Sequence, residues 1–120
     1  MFFKKRDTRP PAPSVHAYDD DFDTLVAEVP EVAIVDFWTP WCGPCRMMEP
    51  ILIEIALEFE DRGVRVVKVD VDQATETAAA FSVRATPTLI FFKNGEPLFE
   101  MVGPVPKPVL ERELETLLDT

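Results

Sequence analysis

The sequence has few of the residues that commonly bind metals. Its 120 residues include two cysteines and one histidine, His16. Structural zinc sites use four protein ligands, mostly cysteine and histidine, and His16 is distant in sequence from both cysteines. We therefore expect no metal site, and we interpret His16 as a surface or packed residue rather than a ligand or a base.

Basic residues are also scarce. Lysine and arginine number 12 against 22 aspartates and glutamates, which gives a net charge of −10. Residues 1–9 carry a local charge of +3, so residues 10–120 carry −13. Affinity for nucleic acid comes mostly from neutralised phosphates, so this acidic body predicts that the chain does not bind nucleic acid.

Long apolar runs are missing as well. The chain has no apolar stretch of the roughly 18 residues that a transmembrane helix requires. Its first residues place Phe2 and Phe3 ahead of the positive charges, the reverse of the order in a secretory signal. We expect no membrane association and a cytoplasmic location, where a lone cysteine pair is more often catalytic or metal-binding than structural.

The length suits one domain preceded by a short arm. Residues 1–14 contain Arg9-Pro10-Pro11-Ala12-Pro13-Ser14, a composition that favours an extended, solvated backbone. We predict a flexible N-terminal arm over residues 1–14 and a folded domain over residues 15–120. The alternative for the arm is a terminal tail without a role.

Apolar strand patterns alternate with helical patterns along the domain. The predicted strands are 15–18, 33–38, 64–71, 88–92 and 98–102. The predicted helices are one after Asp19–Asp21, one over 42–62, one over 75–81 capped by Asp72, and a last one built on Leu110, Leu114, Leu117 and Leu118. Crossover helices imply parallel strands, whereas Asn94-Gly95 predicts an antiparallel hairpin. The expected fold is an α/β fold with a central mixed sheet and helices on both faces.

The two cysteines lie in Trp41-Cys42-Gly43-Pro44-Cys45, between the predicted strand 33–38 and the predicted helix 42–62. In this setting the C-x-x-C spacing predicts a redox dithiol. A free thiol is only about 3% ionised at pH 7, but unpaired amides at a helix N-terminus favour the thiolate of Cys42. Gly43 gives little steric cover and Pro44 fixes the turn. We therefore predict Cys42 as the nucleophile and Cys45 as the resolving thiol; the alternative is a pair of buried, inert cysteines.

Asp36 interrupts the apolar strand 33–38. A buried carboxylate is costly unless it is paired or protonated, and burial raises its pKa. Cys45 on the adjoining helix and Lys68 on the neighbouring strand can share its environment. Our hypothesis is that Asp36 takes the proton from Cys45 when this thiol attacks; the alternative is a partly solvated aspartate at a strand end. Asp70 and Asp72 are interpreted as structural.

Together these motifs closely resemble the thioredoxin family over about residues 15–118. The matching segments are Val35-Asp36-Phe37-Trp38, the dithiol motif with Arg46 and Pro50, Lys68-Val69-Asp70-Val71-Asp72, Thr86-Pro87-Thr88-Leu89, Phe92-Lys93-Asn94-Gly95, and Gly103. The resemblance implies a thioredoxin fold, with a central mixed sheet of about five strands flanked by four α-helices. It also implies that Asp36 is buried near Lys68 and that the Thr86–Pro87 peptide is cis, although cis is a minority state of such bonds.

The resemblance further implies a substrate groove beside the dithiol. Pro87 would lie against the sulfurs, the backbone of Thr86 would pair with an extended substrate segment, and Trp41 and Gly103 would line the groove. The residues assigned to substrate binding are Trp41, Gly43, Pro44, Thr86, Pro87, Val102 and Gly103. The implied protein is a monomer without a bound cofactor; an NADPH-dependent thioredoxin reductase would reduce it, and it would pass electrons to disulfide-containing protein substrates.

Some positions depart from the family pattern. Thr86 stands where aliphatic residues are usual, Thr39-Pro40 replaces the commoner alanine and polar residue, and three prolines (Pro104, Pro106 and Pro108) alter the last loop. The predicted function is protein-disulfide reductase. One alternative is a thiol oxidase or isomerase on the same fold, and another is a binding module that holds a partner on the apolar rim of Trp41, Pro87 and Val102 without turnover.

Overall fold

A computed structural model describes residues 14–119 and contains five strands and four helices in that range. The strands are β1 (Ser14–His16), β2 (Val32–Trp38), β3 (Val64–Asp70), β4 (Thr88–Lys93) and β5 (Glu96–Val102). The helices are α1 (Phe22–Ala27), α2 (Gly43–Phe59), α3 (Thr75–Ala80) and α4 (Lys107–Leu118), and a short 3₁₀ turn, Glu60–Arg62, follows α2. No helix among residues 14–119 is long and apolar enough to cross a membrane. The predicted α/β order of elements is confirmed.

The five strands form one mixed sheet in the order β1-β3-β2-β4-β5. β1, β3 and β2 run parallel, and β4 and β5 run antiparallel to their neighbours. β2 lies in the centre, and its residues from Val32 to Phe37 are buried. Asp36 therefore sits mid-sheet, in register with Lys68 on β3 and Leu89 on β4.

Side chains of β2 alternate between two apolar layers, because successive residues of a strand point to opposite faces. α2 and α4 cover the face that carries Val32 and Ile34. α1 and α3 cover the face that carries Val35 and Phe37. Asp36 has the parity of Ile34, so its side chain belongs to the face that α2 covers.

The first strand differs from its predicted range. β1 ends at His16 rather than at residue 18, because the carbonyl of Tyr18 accepts hydrogen bonds from the amides of Asp21 and Phe22 and turns the chain into α1. β1 begins at Ser14, the last residue of the predicted arm. The rest of that predicted arm, residues 1–13, lies outside the described residues.

The prediction that Asp72 caps α3 is wrong. The residue at the cap position is Ala74, which makes no side-chain cap. Instead, the carboxylate of Asp19 accepts hydrogen bonds from the amides of Glu76 and Thr77, at 3.2 and 2.8 Å, and from the Thr77 hydroxyl at 2.7 Å. These hydrogen bonds lower the pKa of Asp19; the bond from the Thr77 hydroxyl has the largest effect and the bond from the Thr77 amide the next largest. The carboxylate of Asp19, which is distant in sequence, thus accepts the free amides at the start of α3.

Helix α2 ends three residues before its predicted end. It stops at Phe59, and the 3₁₀ turn leads to Gly63, whose backbone is left-handed at φ +83°. The edge strand β5 starts at Glu96, two residues earlier than predicted, although Pro97 lies within it. A register irregularity between Phe91 and Phe92 on β4 accompanies that proline. Proline is tolerated there because β5 is an edge strand.

Candidate functional site

The two cysteines lie where β2 passes into α2. Cys42 occupies the N-cap of α2 with an extended backbone, and its amide donates to the carbonyl of Thr39 at 3.3 Å. Cys42 and Cys45 form a disulfide with their Cα atoms 5.2 Å apart. The amide of Cys45 donates to Sγ of Cys42 at 3.1 Å. The N-terminal amides of a helix favour negative charge, so this donor is placed to stabilise a Cys42 thiolate when the disulfide is reduced.

The two sulfurs differ in access. Cys45 is only 5% exposed, whereas Cys42 is partly exposed and its neighbours Gly43 and Pro44 are exposed. A Cβ built on Gly43 would find no atom within 4 Å, so the space in front of the motif is open. Pro44 sits in the first turn of α2, where a helix does not need its amide hydrogen. Cys42 is therefore the more accessible of the two sulfurs.

A backbone segment from the start of β4 lies beside Cys42. The carbonyl oxygen of Thr86 is 3.5 Å from Sγ of Cys42. The Thr86–Pro87 peptide is cis, as the family resemblance implied, and Pro87 is buried. The amide of Gly103 donates to the carbonyl of Pro87 at 2.8 Å, which brings the end of β5 to the same place.

An open cavity of about 480 Å³ adjoins the dithiol. Trp41, Cys42 and Thr86 contribute to its lining, together with Val83 and Arg84. Trp41 is 70% exposed, and Val102 on β5 is 59% exposed. Sequence analysis did not find Val83 and Arg84, and they carry no motif that could have indicated them. The cavity offers a mixed polar and apolar surface next to Cys42.

A carboxylic acid and a lysine, Asp36 and Lys68, are buried together in register on β2 and β3. Asp36 is 1% exposed and Lys68 is 5% exposed. Nζ of Lys68 is 3.8 Å from Oδ2 of Asp36, and Oδ1 of Asp36 has no hydrogen-bond partner among the described residues. Burial raises the pKa of Asp36 from its ordinary 3.8 to about 7; Lys68 opposes this shift and Glu49 adds to it. Asp36 can therefore exchange a proton near neutrality.

Glu49 is a site residue that sequence analysis missed. Its carboxylate is ion-paired and hydrogen-bonded to the Lys68 ammonium. That ammonium also lies over the Trp38 ring, 4.4 Å from the centroid. Glu49 follows Cys45 by four residues on α2, and this spacing places two side chains on one helix face. This spacing was the one feature of the sequence that could have indicated Glu49 as a neighbour of Cys45.

A second cavity, of about 270 Å³, joins these groups. Buried Cys45 and Lys68 belong to its lining, and so do the exposed residues His16 and Arg46 and the partly exposed Glu49. The His16 ring packs edge-on against Trp38, with their centroids 6.0 Å apart. Cys45 therefore lines a cavity that reaches the surface.

The chain is similar in sequence to known thioredoxins. A family model described as Thioredoxin matches residues 13–116. Similar curated proteins include the thioredoxin of Haemophilus influenzae, 44% identical over 96 residues, or 80% of this chain and 89% of that protein. The thioredoxin of Synechocystis is 45% identical over 96 residues, or 80% and 87%. The Thioredoxin M-type, chloroplastic, of Pisum sativum is 41% identical over 97 residues, which is 81% of this chain but 56% of that protein.

Proposed function

This chain belongs to the thioredoxin family, and from that premise we propose how its dithiol works and what it works with. The five-stranded mixed sheet with four helices is the thioredoxin fold. The disulfide-bonded pair Cys42–Cys45 at the start of α2 makes the protein a thiol–disulfide reductase.

In the proposed reaction, the Cys42 thiolate attacks one sulfur of a substrate disulfide. The substrate S–S bond breaks, one substrate sulfur leaves as a thiolate, and the other remains in a mixed disulfide with Cys42. Cys45 then loses its proton and attacks Sγ of Cys42, which releases the second substrate thiolate and forms the Cys42–Cys45 disulfide. The substrate gains two electrons and the protein loses two. The observation that carries this assignment is the combination of an accessible Cys42, whose sulfur accepts the Cys45 amide, with a buried Cys45.

Asp36 is the proposed acceptor of the Cys45 proton. Its side chain belongs to the sheet face that α2 covers, and its raised pKa suits proton transfer near pH 7. Lys68 has a positioning role, because its ammonium lies 3.8 Å from Asp36 and stabilises the carboxylate once it is ionised. Neither residue touches the substrate.

The groove around Cys42 is the proposed binding site for an extended substrate segment. Thr86 offers its backbone beside the sulfur, and Trp41, Val102 and Gly103 flank this position. Gly43 and Pro44 leave room above the motif. A peptide lying there would bury the apolar surface of Trp41.

Trp41→Ala is expected to lower kcat/KM for insulin about tenfold, since truncating a central aromatic contact commonly costs more than 1 kcal/mol. Most of the loss should come from a higher KM. Reduction of a small aromatic disulfide, which contacts little of the groove, should change much less. Leu57→Ala is the control, because Leu57 is an exposed apolar residue in the last turns of α2. If kcat/KM fell equally for both disulfide substrates, Trp41 would not be part of the substrate-binding groove.

The proposed reductant is an NADPH-dependent thioredoxin reductase, and the proposed substrates are protein disulfides. We also propose a monomer that works in the cytoplasm. The test mixes the protein with a bacterial thioredoxin reductase, NADPH and insulin, and follows NADPH oxidation. We expect one NADPH consumed per insulin disulfide reduced, and no steady consumption without insulin. No oxidation of NADPH, with reduction of insulin by dithiothreitol still accelerated, would reject this class of reductant while leaving the dithiol chemistry in place.

A further inference from the structure

The buried Lys68 ammonium lies near two carboxylates, those of Asp36 and Glu49. It is ion-paired to Glu49, whereas Asp36 is at 3.8 Å, beyond ordinary hydrogen-bond distance. The other oxygen of the aspartate, Oδ1, has no hydrogen-bond partner among the described residues. Because Lys68 is shared with Glu49, its positive charge only partly offsets the cost of burying an ionised Asp36.

We propose that Glu49 is a positioning residue that holds the Lys68 ammonium away from Asp36 and so preserves Asp36 as a base for the Cys45 thiol. This inference deepens the function proposed above and rests on it. Glu49 acts through Lys68 and does not itself touch the reacting sulfurs.

The position of Glu49 suits this task. Its side chain is 42% exposed, and it lines the same cavity as Cys45 and Lys68. Its carboxylate therefore lies at the cavity rim while one of its oxygens reaches the buried ammonium. Two nearby carboxylates compete for one cation, and their mutual repulsion favours the protonated form of the more buried one. That one is Asp36, at 1% exposure.

Other charged groups near Lys68 are differently engaged. Arg46 directs its guanidinium to the carbonyl of Pro40, with two contacts of 3.2 and 3.3 Å. His16, from β1, is exposed and packs against Trp38. The neighbour of Asp36 on β4 is the apolar Leu89, and α4 presents Leu110 and Leu114 to this layer. Lys68 and Glu49 are the charged groups that act on the pKa of Asp36.

Removing the Glu49 charge should release Lys68 to Asp36. Lys68 already lies 3.8 Å from Asp36, within the distance at which an opposite charge lowers a carboxyl pKa by about 1–3 units, but it is shared with Glu49. The substitution leaves Lys68 to Asp36 alone and removes the repulsion of a second carboxylate, and both changes lower the pKa of Asp36. In Glu49→Gln we therefore expect the proton affinity of Asp36 to fall at least about tenfold. The acidic limb of the pH profile for resolution of the mixed disulfide should move to lower pH by the same amount.

The experiment follows the Asp36 carboxyl by carbon NMR in the oxidised protein with labelled aspartate, across a pH titration. Glu49→Gln keeps the size of the side chain, and Glu49→Asp keeps its charge. Glu54→Gln is the matched control, because Glu54 is another carboxylate of α2 and pairs with Lys107 on the outer surface. We expect a large downward shift in Glu49→Gln, a smaller shift in Glu49→Asp and none in Glu54→Gln.

Three outcomes would overturn the proposal: an unchanged Asp36 titration in Glu49→Gln, an upward shift, or an equal shift in Glu54→Gln. The titration needs no substrate or reductase, so it tests Glu49 independently of the proposed chemistry. If the titration moves as expected but Asp36→Asn resolves the mixed disulfide at the parent rate, the base role of Asp36 fails while the effect of Glu49 on Asp36 stands. That result would overturn the part of the proposal that links Glu49 to Cys45.

Discussion

Cys42→Ser is expected to reduce insulin no faster than the uncatalysed background, whereas Cys45→Ser is expected to accumulate as a covalent adduct with its substrate. Cys42 carries the sulfur that lies on the surface and accepts the helix amide. A serine hydroxyl at this position is not ionised near neutral pH and does not attack a disulfide. Cys45, at 5% exposure, is buried and cannot replace it as the attacking thiol.

The Cys45→Ser protein performs the first attack but lacks the thiol that releases the product. Mass spectrometry under non-reducing conditions should find the protein linked to one half of the substrate, and dithiothreitol should remove that half. The double variant, Cys42→Ser with Cys45→Ser, is the control, and it should form no adduct. If the double variant retained full biological activity, a binding module without turnover would be the better interpretation. If Cys42→Ser instead formed the adduct, the roles of the two thiols would be reversed.

The location of the dithiol was predictable because local patterns agree there. A run of apolar residues ends in Trp38, a Gly-Pro pair follows, and the apolar spacing then changes to that of a helix. These features place Cys42 at a helix N-terminus without knowledge of tertiary contacts. Asp36 was conspicuous for a similar reason, since it is the one charged residue in an otherwise apolar central strand.

Contacts between distant segments were harder to predict. Asp19 reaches Thr77 across 58 positions, and the nearer Asp72 was the better local candidate for the cap of α3. The local sequence does not indicate which of these two aspartates accepts the amides of α3, because that depends on how β1 packs beside β3. The cis peptide before Pro87 was expected only from the family resemblance, since chain physics favours trans.

Glu49 shows a different limit. Its spacing from Cys45 placed it on the correct helix face, but a glutamate on a helix is ordinarily a solvated residue. What sets Glu49 apart is its ion pair with Lys68 on β3, a contact that its own helix does not predict. A partner on another element determines whether such a carboxylate acts on the site or only on solubility.

Asp36→Asn is expected to stabilise the folded protein above neutral pH by up to about 4 kcal/mol. The pKa of Asp36 is raised from 3.8 to about 7, chiefly by burial, and about three units correspond to this free energy. Below the ordinary pKa the carboxyl is protonated in both the folded and unfolded states, so the cost is absent. As the pH rises towards 7, the unfolded chain releases the proton first and the folded state loses stability. The cost is complete once the folded protein also releases its proton.

Urea unfolding of the oxidised protein at about pH 4, 6 and 8 measures this difference. The Asn variant should come within about 0.5 kcal/mol of the parent at the lowest pH and exceed it increasingly above that. Asp61→Asn is the control, because Asp61 is exposed, and its effect should stay within about 0.5 kcal/mol at every pH. A gap between Asp36→Asn and the parent that does not change with pH would contradict the raised proton affinity of Asp36. A less stable variant at pH 8 would mean that the ion pair with Lys68 outweighs the cost of burial. The expected gain in stability should come with slower resolution of the mixed disulfide, because the buried acid destabilises the fold at the pH where the proposed reaction needs it.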